Sequence, residues 1–406
     1  MYQSVVRLLL VLAVLVCGAT YSIRALAMST YARQTGLPCA ACHFQNYPAL
    51  NQLGRMFKAN GFALSVAPAG SEAAVLSLKD SVNAGVVTKI RYQQSNGNGP
   101  AKTNDGEFQF PDELLLHIGA RISNNIGAVL ELDLNNGDPL LSGLKLPFIY
   151  NISSVAVGGI AFSTASQGVA YGFELLNTGA LRFARLAEDR SAVSAQQYVG
   201  TATKAQGIAA VASNTGYFAN VSKWSPRTTG DASDSLSATY VRLAATPRLG
   251  SWDTGFGIQS WSGSAMDPTL MQLVDTEAWA VDAQAQGAFR DMPLGLYLTY
   301  AESAATPVGS MKQNLFNANP QDRKAAALLA QLGVVPAKIT VLLSYRHGEN
   351  GKTINANDNA WMIGGTYSLG TNMQLQVNHT EYSGSAYRGN PANGSRMTTL
   401  MFYSAF

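Results

Sequence analysis

Trp279-Ala280-Val281-Asp282-Ala283-Gln284-Ala285-Gln286-Gly287-Ala288-Phe289-Arg290 reads as two interleaved series. Trp279, Val281, Ala283, Ala285, Gly287 and Phe289 form one apolar face, while Asp282, Gln284, Gln286 and Arg290 lie on the other. Side chains that alternate with a period of two describe a strand with one oily and one wet side. Met373, Leu375 and Val377 stand against Gln374, Gln376 and Asn378 in the same way. Ile126, Ala128, Leu130, Leu132 and Leu134 oppose Glu131 and Asp133, and Leu294, Leu296, Leu298 and Tyr300 oppose Tyr297 and Thr299. Strands of about ten residues with this signature are long enough to cross a bilayer at a tilt.

Composition supports a membrane barrel over its competitors. Only 13% of the 406 residues are charged, against 47% hydrophobic, where a soluble chain carries about a quarter charged residues. A soluble β-sandwich or propeller needs a charged exterior, and no repeat of blade length is visible. Beyond residue 16 no run of about 18 apolar residues exists to make a membrane helix. The net charge of +3 leaves no nucleic-acid footprint.

Short turns fall near Asn124-Asn125, Ala165-Ser166, Asn214–Gly216, Pro247–Ser251, Asp291–Pro293, Pro336–Lys338 and Gly370–Asn372. Longer polar segments alternate with them, the longest from about Thr178 to Gln206. The expectation is an all-β transmembrane barrel of about sixteen antiparallel strands over residues 81–406, with both barrel ends on the periplasmic side. Thr398, Leu400, Phe402 and Phe406 resemble the aromatic-ended last strand of outer-membrane barrels, with Ser404 a departure.

The N-terminus predicts export. Arg7 precedes the apolar run Leu8–Val16, and Ala25-Leu26-Ala27 places small residues at the positions a signal peptidase reads, so residues 1–27 are expected to be a leader. Cys17 leaves with it, and Cys39 and Cys42 remain, in Cys39-Ala40-Ala41-Cys42-His43. Two thiols three positions apart and an adjacent imidazole form the attachment pattern of a c-type haem: the thiols add to the vinyl groups and the imidazole reaches the iron. Three cysteines and four histidines scattered at random would give this pattern roughly 2 × 10⁻⁴ times. A disulfide at this spacing is awkward, and a thioredoxin-like pair lacks its βαβ context.

Around this motif the sequence predicts a small α-helical module, residues 28–66, followed by a linker, 67–80. Pro48 suits a first helical turn, Leu50, Leu53 and Phe57 repeat on one face, and Asn60-Gly61 suits a stop, giving a helix of about twelve residues. A module this short does not fold alone. The sixth iron ligand is left open between Met56, the nearest thioether, and the imidazoles His117, His347 and His379. His117 shares the wet face of its strand with Arg121, opposite Leu116, Ile118 and Ala120, and is expected to point into the barrel. Arg55 and Lys58 are candidate partners of the haem propionates. Glu131 and Asp133 either attract Fe²⁺, an oxygen-seeking cation, or line a wet lumen together with Arg121 and Arg242.

Ala32-Arg33-Gln34-Thr35-Gly36, the pentapeptide, Pro48-Ala49-Leu50-Asn51, Gly54-Arg55, Phe57-Lys58 and Gly61-Phe62 together resemble the fused outer-membrane monohaem cytochrome-porins of iron-oxidising bacteria. The likeness is specific over about residues 31–64 and architectural beyond. It implies a Gram-negative outer-membrane barrel whose haem module, entering from the periplasmic side, plugs or lines the lumen. It further implies oxidation of extracellular Fe(II) and delivery of the electron to a periplasmic c-type cytochrome or similar carrier; the sequence equally allows a conduit for another donor or acceptor, or a porin whose haem is a sensor or structural plug.

Overall fold

The structure, a computed structural model, describes residues 30–45, 47–64, 82–135, 140–179, 194–227, 235–370, 372–389 and 391–406. The expected leader (1–27) and linker (67–80) lie outside the described residues.

Sixteen long antiparallel strands follow one another around a closed barrel. In chain order they are β1 (Val82–Ser95), β2 (Glu107–Ser123), β3 (Ile126–Asp133), β4 (Leu141–Ile152), β5 (Val155–Thr164), β6 (Ala205–Ser213), β7 (Tyr217–Ser225) and β8 (Ala238–Ala245). The second half is β9 (Trp252–Ser262), β10 (Ala278–Phe289), β11 (Met292–Ser303), β12 (Arg323–Val335), β13 (Ile339–Asn350), β14 (Asn359–Gly370), β15 (Met373–Ser383) and β16 (Arg396–Ala405). A short piece, Arg248–Leu249, continues β8 along β9. Closure is by β1 on β16, with Val87 opposite Ala405 and Lys89 opposite Tyr403. Every backbone ladder then has a partner, which a wall in hydrocarbon requires.

Alternation sets the two faces of that wall. Leu296, Leu298, Leu328, Leu343, Ile363, Val377 and Leu400 are exposed on the outside, the surface a bilayer covers. Trp279, Tyr300, Tyr345 and Trp361 form an aromatic group toward the long-loop end of this face, at the level where a headgroup region would lie. Asp282, Gln284 and Gln286 are buried on the inside.

Two local expectations are corrected. The short turn lies at Ser153-Ser154 and not at Ala165-Ser166, so residues 142–165 hold two strands where the sequence reading placed one. No Gly, Pro or Asn marks Ser153-Ser154, and Ser153 takes a left-handed φ of 56° unaided. Residues 165–204 are the longest connection, and its described parts fold into the lumen: Val169, Phe173, Leu175, Leu176, Tyr198 and Val199 are buried. The helix after the pentapeptide is eight residues, Gln52–Ala59, shorter than expected. Asn51 caps it, Leu50 lies before it in a bridge with His43, and Gly61 ends it at φ +67°.

Candidate functional site

Three short helices hold the N-terminal residues: α1 (Thr30–Thr35), α2 (Cys39–Cys42) and α3 (Gln52–Ala59). Asn51 ties the last two together. Its Oδ1 accepts from the Gly54 amide at 3.0 Å, its Nδ2 donates to the Ala41 carbonyl at 2.8 Å, and its own amide donates to the Cys42 carbonyl at 3.0 Å. Capping and clamping by one side chain fix the cysteine turn against the start of α3. The approach is so close that a Cβ on Gly54 would overlap the Cys42 carbonyl oxygen. Tyr31 packs between Phe57 and Phe62, with ring centroids 5.1 and 5.2 Å away.

This segment is anchored to the barrel from several sides. Thr30 Oγ1 donates to the His117 carbonyl at 3.1 Å, and Gln45 Nε2 donates to the carbonyls of Pro293 and Gln331 at 3.0 and 3.2 Å. Leu50 exchanges two hydrogen bonds with Asn177 of the inward connection, at 2.7 and 3.0 Å. All of these partners face inward, so residues 30–64 lie across the half of the lumen nearer the short turns.

Between this segment, the wall from β1 to β4 and the inward connection is a cavity of about 640 Å³, within the range that holds a cofactor-sized ligand. Cys39, Cys42 and His43 line it, as do Lys58 and His117. Neither thiol is in a disulfide. The His43 ring lies 5.3 Å from that of Tyr47, which stacks on Tyr403 at 5.8 Å. His43 Nδ1 is 3.3 Å from the Ala49 carbonyl. A carbonyl only accepts, so Nδ1 carries the proton and Nε2 keeps its lone pair, the arrangement that orients a metal-ligating imidazole. Burial holds the His43 pKa below its ordinary value, against the opposing pull of the Ala49 and Pro48 carbonyls, and so favours the neutral ring. Burial likewise raises the Cys42 thiol, with the neighbouring Cys39 adding to it.

The remaining sequence candidates separate cleanly. Lys58 faces the cavity, its pKa lowered by burial and partly restored by Glu174 and Glu131. Arg55 does not line the cavity. Its guanidinium is taken by both oxygens of Asp253, at 2.8 and 2.7 Å, so its charge fastens α3 to β9. Met56 is 43% exposed and also stands outside the cavity lining. His347 and His379 stand on outward-facing positions of β13 and β15, hydrogen bonded to Asn359 and Thr398 at 2.8 Å each. Glu131 and Asp133 both line the cavity, but among the described residues no cluster of three or more His, Cys, Asp or Glu is placed to hold a metal ion.

One cavity residue was overlooked in the sequence. Lys145 faces inward on β4, with its ammonium 3.9 Å from the centre of the Tyr171 ring. The signal was present, since Leu144, Leu146 and Phe148 alternate with it.

On the side of β7 to β10 the lumen is filled. Arg242 is fully buried between Glu174 and Asp282, with contacts of 2.9 and 2.5 Å. Asp282 also accepts from Thr178 Oγ1 at 2.6 Å, and Gln284 accepts from the Asn177 amide at 2.8 Å. Beyond them Trp224 and Trp261 pack against Phe316, at 6.4 and 6.3 Å between ring centres.

No protein-family model matches the chain, and no curated protein matches it. Solved structures do. A mutant of the Rh. blastica porin is similar with a TM-score of 0.50 and 14% identity, over 80% of this chain and all of that one. The Salmonella typhi OmpF complex with daunomycin gives 0.49 and 12%, over 80% and 97%. The outer-membrane channel DcaP of Acinetobacter baumannii gives 0.45 and 10%, over 84% and 100%. At 14% identity the first of these speaks to the fold alone: the chain has a porin-like sixteen-stranded barrel.

Proposed function

We propose that this chain is an outer-membrane electron-transfer protein, in which one c-type haem accepts an electron from extracellular Fe(II) and a periplasmic carrier receives it. The observation that carries this reading is the cavity inside the lumen that Cys39, Cys42 and His43 face together. Cys39 and Cys42 would attach the haem through thioethers, and His43, with its Nε2 lone pair free, would be an axial ligand. Bound haem supplies a one-electron Fe(III)/Fe(II) couple. Fe²⁺ loses one electron to become Fe³⁺ outside the cell, and an oxidised periplasmic carrier gains it.

The residues do the rest. Asn51 and Gly54 hold the cysteine turn rigid, Lys58 and Lys145 offer cations to the propionates, and burial keeps bulk water from the axial imidazole. The Arg242 cluster fills the lumen on the side away from the cysteine turn, which suits a path for electrons better than one for solutes. Ferric iron is insoluble near neutral pH, so oxidation outside the cell leaves the product where it does no harm.

The test uses isolated outer membranes. The native chain is expected to keep its haem on a denaturing gel and to give a reduced haem spectrum on addition of Fe(II), while a Cys42→Ala chain loses the covalent haem. A native chain without attached haem, or one whose haem stays oxidised with Fe(II) but is reduced by another donor, overturns the reading.

A further inference from the structure

Four histidines occur in the chain, and the fold sorts them by face. His347 and His379 stand on the outer face of the barrel. The other two, His43 and His117, line one cavity from opposite components, His43 on the N-terminal segment and His117 on the barrel wall. His117 Nε2 is buried and has no hydrogen-bond partner. A buried polar nitrogen with nothing to bind costs about 1–3 kcal/mol, so the unpaired Nε2 of a ring whose residue lines a cavity points to a ligand that completes it.

The surroundings hold this ring in place. The His117 carbonyl accepts from Thr30, at the start of α1. The next inward residue is Gly119, where a Cβ would stand 2.7 Å from both Thr30 Cγ2 and Tyr31 Cε1. A side chain there would push α1 away, so the glycine lets the segment bearing the cysteines settle directly against the His117 strand.

Of the other cavity-facing side-chain nitrogens, two are engaged. Lys89 pairs with Asp112 and Glu113 at 3.0 and 3.1 Å, and Lys145 lies over Tyr171. Among the described residues no methionine lines the cavity, Met56 included. We propose that His117 is the sixth ligand, so that the haem iron is held by two imidazoles, His43 from the N-terminal segment and His117 from the barrel wall. This rests on the haem attachment proposed above. It also deepens it: the iron becomes a cross-link between module and barrel, and its potential is set lower than a His/Met pair would give.

The experiment is spectroscopic, on the full-length haem-loaded protein purified in detergent. The ferric native chain should be low-spin with a bis-histidine electron paramagnetic resonance signature and bind carbon monoxide slowly after reduction. His117→Ala should turn high-spin, bind carbon monoxide rapidly, and return to low-spin with added imidazole. His117→Met guards against a misfolded alanine variant and should remain low-spin with a raised potential and a thioether–iron charge-transfer band. Met56→Ala and His379→Ala should leave the native spectrum unchanged. A low-spin His117→Ala spectrum identical to native, or a high-spin change in Met56→Ala, overturns the assignment. Covalent haem on a denaturing gel separates these results from failure of the attachment reading, in which no variant carries haem.

Discussion

The two halves of the lumen are built from opposite materials. Beside β1 to β4 it is hollow, walled by thiols, imidazoles, lysines and carboxylates around a cavity of about 640 Å³ that runs from Asn372 near a short turn to Asp133 and Gln167 near the long loops. Beside β7 to β10 it is solid, packed with Trp224, Trp261, Phe316 and the buried Arg242–Glu174–Asp282 cluster. The wall around both is the same porin-like barrel. The difference lies in how the interior is filled: one side encloses a cavity, the other is packed with side chains.

Perturbing each half should expose the difference, and the filled half should react most. Arg242→Ala leaves Glu174 and Asp282 buried together without their cation. Removing one partner of a buried pair costs about 3–5 kcal/mol. We expect a large drop in the temperature at which the barrel loses its folded gel mobility, and ion conductance in planar bilayers where the native chain conducts little. Unchanged mobility and conductance would mean that the cluster does not close the lumen.

A smaller effect is expected where the N-terminal segment meets the wall. Asp253→Asn deprives the buried Arg55 of its bidentate carboxylate, a hydrogen-bonded charge worth about 1.5–3 kcal/mol. Limited proteolysis should release residues before β1 faster, with the barrel itself intact. Least disruptive is Asn51→Ala, which removes a helix cap of about 1 kcal/mol. It should lower the denaturant midpoint of the segment slightly, and more so in the haem-free Cys42→Ala background, where no covalent link supports the turn.

The contrast also explains what could be read from sequence. The sixteen strands were legible because lipid outside and polar lumen inside force a period of two, as in Trp279–Phe289. Seven short turns were expected, and six fall where expected. The exception, Ser153-Ser154, has only serines, the weaker of the turn-favouring residues, and Ser153 adopts its positive φ without being Gly or Asn. The segment around Val169–Leu176 carries no face alternation, because it lies inside the lumen between the barrel wall and the cavity and meets no lipid. At the site, the pentapeptide stood out by its spacing, and the structure sets Cys39, Cys42 and His43 on one cavity with His117, whose inward face was also legible. The capture of Arg55 by Asp253, 198 positions away, was not. Charged residues on a short helix advertise a ligand and a distant carboxylate equally, and only the closed barrel brings Asp253 to α3. Met56 illustrates the same limit, since proximity in sequence to the haem motif says nothing about which way the side chain turns.

The central claim is that this barrel passes electrons and not solutes. It is tested most directly in liposomes that enclose an oxidised soluble c-type cytochrome and carry the protein with its short-turn end inward. Fe(II) added outside should reduce the enclosed cytochrome through the native chain, with no reduction through Cys42→Ala. An enclosed cytochrome that stays oxidised beside a haem-loaded native chain, or that is reduced equally well through Cys42→Ala, would contradict the account.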